Sequence, residues 1–262
     1  MHQYLFFIGN FPIRLYGIFF SLGIISGCIT AYFLLKKDRR GWESHMFDLG
    51  LVIAFAGIVG GRLWDVFFFD WEYYHNHLLE IPYIWQGGMA IQGGIIFACI
   101  AAYFYLKKHQ IPVLPFADTV TPGIILGQAI GRLANFMNGD AFGHPTGQDF
   151  GLLYPDTTLA YHTYGAQPLW PAEVWECQGD LLIFVLLLWY GCKTRAEGTT
   201  FCLYIMFYSL LRFFLENYRG DYGTLALGLK SAQLTSLAAF AGAFILFLYF
   251  HFKHKSKSGI SE

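Results

Sequence analysis

The sequence predicts an all-α polytopic membrane protein, on three observations: a charge deficit, seven long apolar segments, and lysine and arginine confined to alternate loops. Of the 262 residues, 55% are hydrophobic and 13% charged, where an average soluble domain carries about 25% charged residues. A spanning helix needs about 20 mainly apolar residues. Seven segments qualify: 13–35, 46–69, 86–106, 114–138, 169–191, 199–217 and 232–252. Short loops rich in lysine and arginine stay cytoplasmic. Lys36, Lys37, Arg39 and Arg40 follow the first segment, Lys107 and Lys108 the third, Lys193 and Arg195 the fifth, and Lys253, Lys255 and Lys257 the last. The opposite loops carry Asp70, Glu72, Glu80, Asp149 and Asp156. Seven crossings, with the N-terminus outside and the C-terminus inside, satisfy every loop.

The chain is expected to form a single integral domain over 1–262, with an outer structured loop at 139–168 and a cytoplasmic tail at 253–262. The loop stretch is too polar and turn-rich to span (NGDAFGHPTGQDF). The N-terminus lacks a basic region and a small-residue cleavage site, so the first segment is expected to remain as a membrane helix. A net charge of −1 gives no reason to expect a nucleic-acid partner. Cys28, Cys99, Cys177, Cys192 and Cys202 show no C-x-x-C spacing and read as small buried hydrophobes. The histidines form no ligand motif, so no metal and no cofactor are expected.

Three arginines stand out because each lies within an apolar segment: Arg62, Arg132 and Arg212. A central arginine costs about 2.5–3.5 kcal/mol on insertion scales, so each must face protein or a polar cavity. One reading is internal ion pairs that lock helices, with Asp65, Asp140 and Glu216 as partners. The other follows from orientation. All three segments run outward, placing their arginines in the outer half of the membrane, where Tyr16, Gln92, Glu173, Glu176, Asn135 and Asn138 are also expected. Guanidinium groups match phosphate oxygens with paired hydrogen bonds, so a cavity for an anionic lipid headgroup is the functional expectation. Arg14 and Lys230 read as surface groups near segment ends. Arg212 and Glu216 are four apart, on one helix face, and Arg132 and Asn135 are three apart. Two Gly-Gly pairs in WQGGMAIQGG, ending in Gly93-Gly94, suggest a backbone bent against a ligand.

These residues resemble the prolipoprotein diacylglyceryl transferase family. The family's G-R-x-x-N-F-x-N-G-E is similar to Gly131-Arg132-Leu133-Ala134-Asn135-Phe136-Met137-Asn138-Gly139-Asp140. Its early Tyr-Gly matches Tyr16-Gly17, its G-G-R matches Gly60-Gly61-Arg62, and its R-x-x-x-E-x-x-R matches Arg212, Glu216 and Arg219. Three departures stand out. Gln92 occupies the place of a family histidine, and Asp140 that of a glutamate. The run from Trp170 to Glu176 replaces H-P-[ST]-x-x-Y-E. The resemblance implies transfer of the diacylglyceryl unit of phosphatidylglycerol to the lipobox cysteine of a preprolipoprotein, forming a thioether and releasing glycerol phosphate. It implies a bacterial inner (cytoplasmic) membrane location. Tyr16, Gln92, Arg132, Asn135, Asp140, Arg212 and Glu216 are the expected catalytic set. Arg132, Arg212, Arg62, Gly93, Gly94 and Asn138 are expected to hold phosphatidylglycerol. Tyr16, Asp140, Glu173 or bulk solvent could take the thiol proton. An inactive lipid-binding relative, or a transporter for an anionic solute, would share the arginines. A transporter more often has polar groups in both membrane halves.

Overall fold

The computed structural model describes residues 3–8, 11–84, 87–191, 196–220, 224–226 and 228–258. These form nine helices among the described residues: α1 (Leu15–Asp38), α2 (Met46–Trp64), α3 (Trp71–Tyr74), α4 (Ile91–Lys108), α5 (Val113–Asn138), α6 (Leu159–Tyr164), α7 (Ala172–Gly191), α8 (Thr199–Leu215) and α9 (Ser231–Ser258). Two antiparallel hairpins join β1 (Tyr4–Ile8) to β2 (Phe11–Arg14) and β3 (Thr224–Ala226) to β4 (Leu229–Lys230). Every expected apolar segment contains one long helix. Five stretches are long and apolar enough to cross a membrane: Leu15–Asp38, Trp42–Phe69, Val113–Asn138, Thr199–Tyr218 and Ser231–Lys255. The chain is therefore a multi-pass membrane protein. The other two expected spans are α4 and α7. Their composition is more polar, because α4 closes on Lys107-Lys108 and α7 carries Glu173, Glu176 and Asp180.

The chain divides into two compact units, Met1–Leu34 with Ala117–Glu262, and Leu35–Phe116. In the smaller unit, α2 and α4 run antiparallel with glycine against glycine. A Cβ added to Gly60 would meet the Phe97 side chain and the Gly93 carbonyl, and one on Gly93 would meet Gly60 and Trp64. Small residues at these points let the two backbones touch. Beyond Trp64 the helix continues as a π turn, Asp65–Phe69.

The larger unit repeats the device. Gly23 and Gly27 on α1 face Gly127 and Gly123 on α5, and a Cβ on either α1 glycine would lie 2.7 Å from the opposing carbonyl oxygen. Asp118 on α5 accepts from the backbone N–H of Gly198 (2.7 Å) and Phe201 (2.9 Å). It thereby caps the start of α8, whose first amides have no partner within the helix. The 139–168 stretch forms a small core with the residue that follows it: Phe142, Tyr154 and Ala160 are buried together with Leu169. It also contains α6. At the far end, α9 runs to Ser258, so the stretch expected as a tail from Lys253 is helical through that residue. Of the cysteines, Cys177 and Cys202 are buried while Cys28 and Cys99 are exposed, contrary to the uniform burial expected. Cys192, Lys193 and Arg195 lie outside the described residues.

Candidate active site

The larger unit gathers its charged groups around one carboxylate. Glu176, on the second turn of α7, has no solvent exposure. Its Oε1 lies 2.7 Å from Arg132 Nη2 and accepts from Tyr208 Oη at 3.3 Å. Its Oε2 accepts from Arg212 Nη1 at 3.2 Å and lies 3.6 Å from Arg219 Nη1. One glutamate thus joins α5, α7, α8 and the turn after α8. Glu216 is the second node, also fully buried. Its Oε2 lies 2.7 Å from Arg212 Nη2 and 3.8 Å from Arg219 Nε, and its Oε1 lies 3.9 Å from Lys230 Nζ. Burying any of these ions alone would cost several kcal/mol, so the network is what allows them to sit within apolar helices.

Arg132 is the member with spare capacity. Among the described residues only its Nη2 is engaged, with Glu176 and Tyr208, and its buried Nε has no hydrogen-bond partner. Asp140, the candidate partner of Arg132 in the ion-pair reading, is bound elsewhere. Its Oδ1 accepts from Asn135 Nδ2 (2.7 Å) and its Oδ2 from Asn138 Nδ2 (2.9 Å). The reason is the sharp end of α5. Gly139 adopts a φ of +73°, which turns the chain back so that the Asp140 carboxylate meets the two amides rather than the guanidinium one turn earlier. Tyr16, half-buried on the first turn of α1, stacks on Phe20 and lies within electrostatic reach of Asp140.

Two further carboxylates on α7 are bound by neutral donors. Glu173 accepts from the Tyr154 hydroxyl and has no solvent exposure. Burial, followed by the nearby Glu173 charge, pushes the Tyr154 phenol above its usual range, which keeps it a neutral donor. Asp180 accepts from Gln128 Nε2 at 3.2 Å, and Tyr204 Oη donates to Gln128 Oε1 at 3.0 Å.

The smaller unit holds the remaining expected residues. Arg62 donates from Nε to Ile81 O (2.7 Å), from Nη1 to Gly87 O (2.7 Å) and Gly88 O (2.9 Å), and from Nη2 to Glu80 O (3.2 Å). It also covers the Tyr74 ring at 4.8 Å. Asp65, its expected ion-pair partner, lies 3.9 Å away. Gln92 is exposed on the first turn of α4. Gly93 and Gly94 are helical and face Gly60 and Gly57, so helix contact explains that pair, while Gly87 and Gly88, at φ +97° and +72°, carry the expected bend. Sequence reasoning missed Glu176 as the hub, together with Tyr208 and Lys230, whereas Arg219 was marked by its motif. Tyr208 was findable, since it precedes Arg212 by four residues and so shares its face. The hub was not, because Glu176 meets its arginines only across helices.

The chain matches the prolipoprotein diacylglyceryl transferase family over residues 3–249. It is 35% identical over 238 residues to a phosphatidylglycerol–prolipoprotein diacylglyceryl transferase of Clostridium botulinum (strain Langeland), covering 90% of this chain and 92% of that one. It is 36% identical to the transferase of the same name from Staphylococcus saprophyticus, over 88% of this chain and 82% of the relative. For the same-named protein of Halalkalibacterium halodurans the identity is 33%, over 92% and 84%.

Proposed function

Because the chain belongs to the prolipoprotein diacylglyceryl transferase family, we propose that its buried arginine network holds the phosphate of phosphatidylglycerol during transfer. The chain is a phosphatidylglycerol–prolipoprotein diacylglyceryl transferase in activity. In the reaction proposed here, the sulfur of the lipobox cysteine attacks the glycerol carbon next to the phosphate ester. The S–C bond forms, the C–O bond breaks, and glycerol phosphate leaves with the electron pair. The thiol proton passes to bulk solvent, since thiolate is the nucleophile. Negative charge grows on the phosphate, where preorganised donors stabilise it most.

The observation that carries this assignment is Arg132, held rigidly through Nη2 by Glu176 and Tyr208 while its Nε has no partner. Arg212 is the second phosphate ligand, oriented by Glu176 and Glu216. Asn135 and Asn138, locked by Asp140, are assigned to the headgroup, and Tyr16 to the neighbourhood of the reacting carbon. Glu173 is enclosed beneath Tyr154 and is not assigned to the thiol. In the smaller unit, Arg62 is assigned to holding the backbone at Glu80, Ile81, Gly87 and Gly88, because its hydrogen bonds go to their carbonyls. Gly93 and Gly94 are assigned to the α2–α4 contact. The basic loops support a bacterial cytoplasmic membrane location with seven crossings, N-terminus outside and C-terminus inside.

Complementation of a transferase-depleted bacterium, with mass spectrometry of a reporter lipoprotein, tests the reading. Wild-type chain should restore diacylglyceryl on the reporter cysteine, and Arg132→Ala should not, while still inserting. Wild-type lipidation by Arg132→Ala would remove the phosphate assignment. Stable expression of the wild-type chain without lipidation would favour a lipid-binding protein lacking catalysis.

A further inference from the structure

Lys230 reads in sequence as a surface group near a segment end, but it is half-buried against the turn that carries Glu216 and Arg219. Its ammonium donates to the backbone carbonyls of Glu216 (2.9 Å) and Arg219 (2.5 Å) and lies 3.9 Å from Glu216 Oε1. Gln233, three residues on, completes the attachment. Its Oε1 accepts from the Lys230 backbone N–H (3.0 Å), while its Nε2 donates to Phe213 O (3.3 Å) and Asn217 Oδ1 (3.1 Å). The acceptors on this side lie at the end of α8, in the 3-10 turn Glu216–Tyr218 that follows it, and at Arg219 directly after the turn. The last carbonyls of a helix have no partner within it, and a cation there is favoured by the helix dipole. On the other side, Gly220 N–H donates to Phe142 O (3.1 Å) and His144 N–H to Tyr218 O (2.9 Å). The turn is therefore gripped from two directions, and Lys230 supplies the cation at its backbone carbonyls.

We propose that Lys230, assisted by Gln233, is a positioning residue for diacylglyceryl transfer. It fixes the α8 end so that Glu216, which Arg219 also faces, holds Arg212 in line with the phospholipid phosphate. The proposal rests on the phosphate-binding reading above. A residue acting this way should affect the phospholipid more than the peptide substrate.

The test measures transfer to a synthetic lipobox peptide in vesicles of varied phosphatidylglycerol fraction. Lys230→Met should raise KM for phosphatidylglycerol by about tenfold, with the peptide KM changed by less than about twofold. Lys230→Arg, which can still donate to two carbonyls, should recover most of the loss. Gln233→Leu should shift the same constant in the same direction by a smaller factor, and serves where Lys230→Met does not accumulate. Wild-type constants in Lys230→Met, or in Gln233→Leu where that variant stands in, would overturn the proposal. So would equal loss for both substrates that Lys230→Arg does not relieve. Arg212→Ala separates the two levels. If it is inactive while Lys230→Met is normal, only the positioning role fails. If it retains wild-type activity, the phosphate-binding reading fails.

Discussion

At the residue scale, Glu176 carries more of the site than any arginine, because it is the one acceptor that Arg132, Arg212, Arg219 and Tyr208 have in common. Glu176→Gln keeps the shape but removes the charge, leaving Arg132 without its carboxylate and Arg212 and Arg219 sharing that of Glu216. Breaking a buried pair in this way costs about 3–5 kcal/mol, so thermal unfolding in detergent should show a clearly lowered midpoint, together with lost activity. An unchanged midpoint would mean that the network is solvated. Arg132→Ala should lower the transfer rate about a hundredfold or more, the scale of removing one preorganised donor from a developing charge. Tyr154 provides a pH prediction outside the membrane segments. Its folded phenol is raised by burial, so its stabilising effect is complete below pH ~10, the ordinary phenol value. As pH rises past that point, ionisation in the unfolded chain draws stability away. Alkaline unfolding of wild type should therefore be steeper than that of Tyr154→Phe, as followed by circular dichroism. Identical alkaline curves would place Tyr154 in contact with water.

At the element scale, two pairs of antiparallel helices rest on glycines. The α1–α5 contact uses Gly23 and Gly27 against Gly127 and Gly123, where a side chain would press on backbone oxygen that cannot swing aside. Gly23→Leu should therefore destabilise the larger unit by at least the about 1–3 kcal/mol typical of overpacking. Resistance to denaturing detergent reports it directly, and a variant as resistant as wild type would refute the close approach. Both glycine pairs follow a small-x-x-x-small spacing that is visible in the sequence, but which pair faces which is not. Likewise, α8 is legible as an apolar run, whereas its cap comes from Asp118, some eighty positions earlier.

At the scale of the whole molecule, the proposed topology makes one prediction. A reporter active only in the cytoplasm should work when fused after the C-terminus, and one active only outside should work when fused at the N-terminus. The reverse pattern would invert the arginine depth argument and with it the headgroup reading. The sequence by itself determined the membrane class and the helix positions, because apolar length and charge placement answer to the bilayer without reference to the rest of the chain. It also marked Arg132 and Arg212, since an ion within an apolar run is costly wherever it lies. Only the tertiary structure decided which charges meet. Asp140 turned away at Gly139 to the asparagine amides, Glu176 became the hub from a neighbouring helix, and Arg62 closed on loop carbonyls. Pairing depends on distances across helices, and residue order along one chain does not encode those distances.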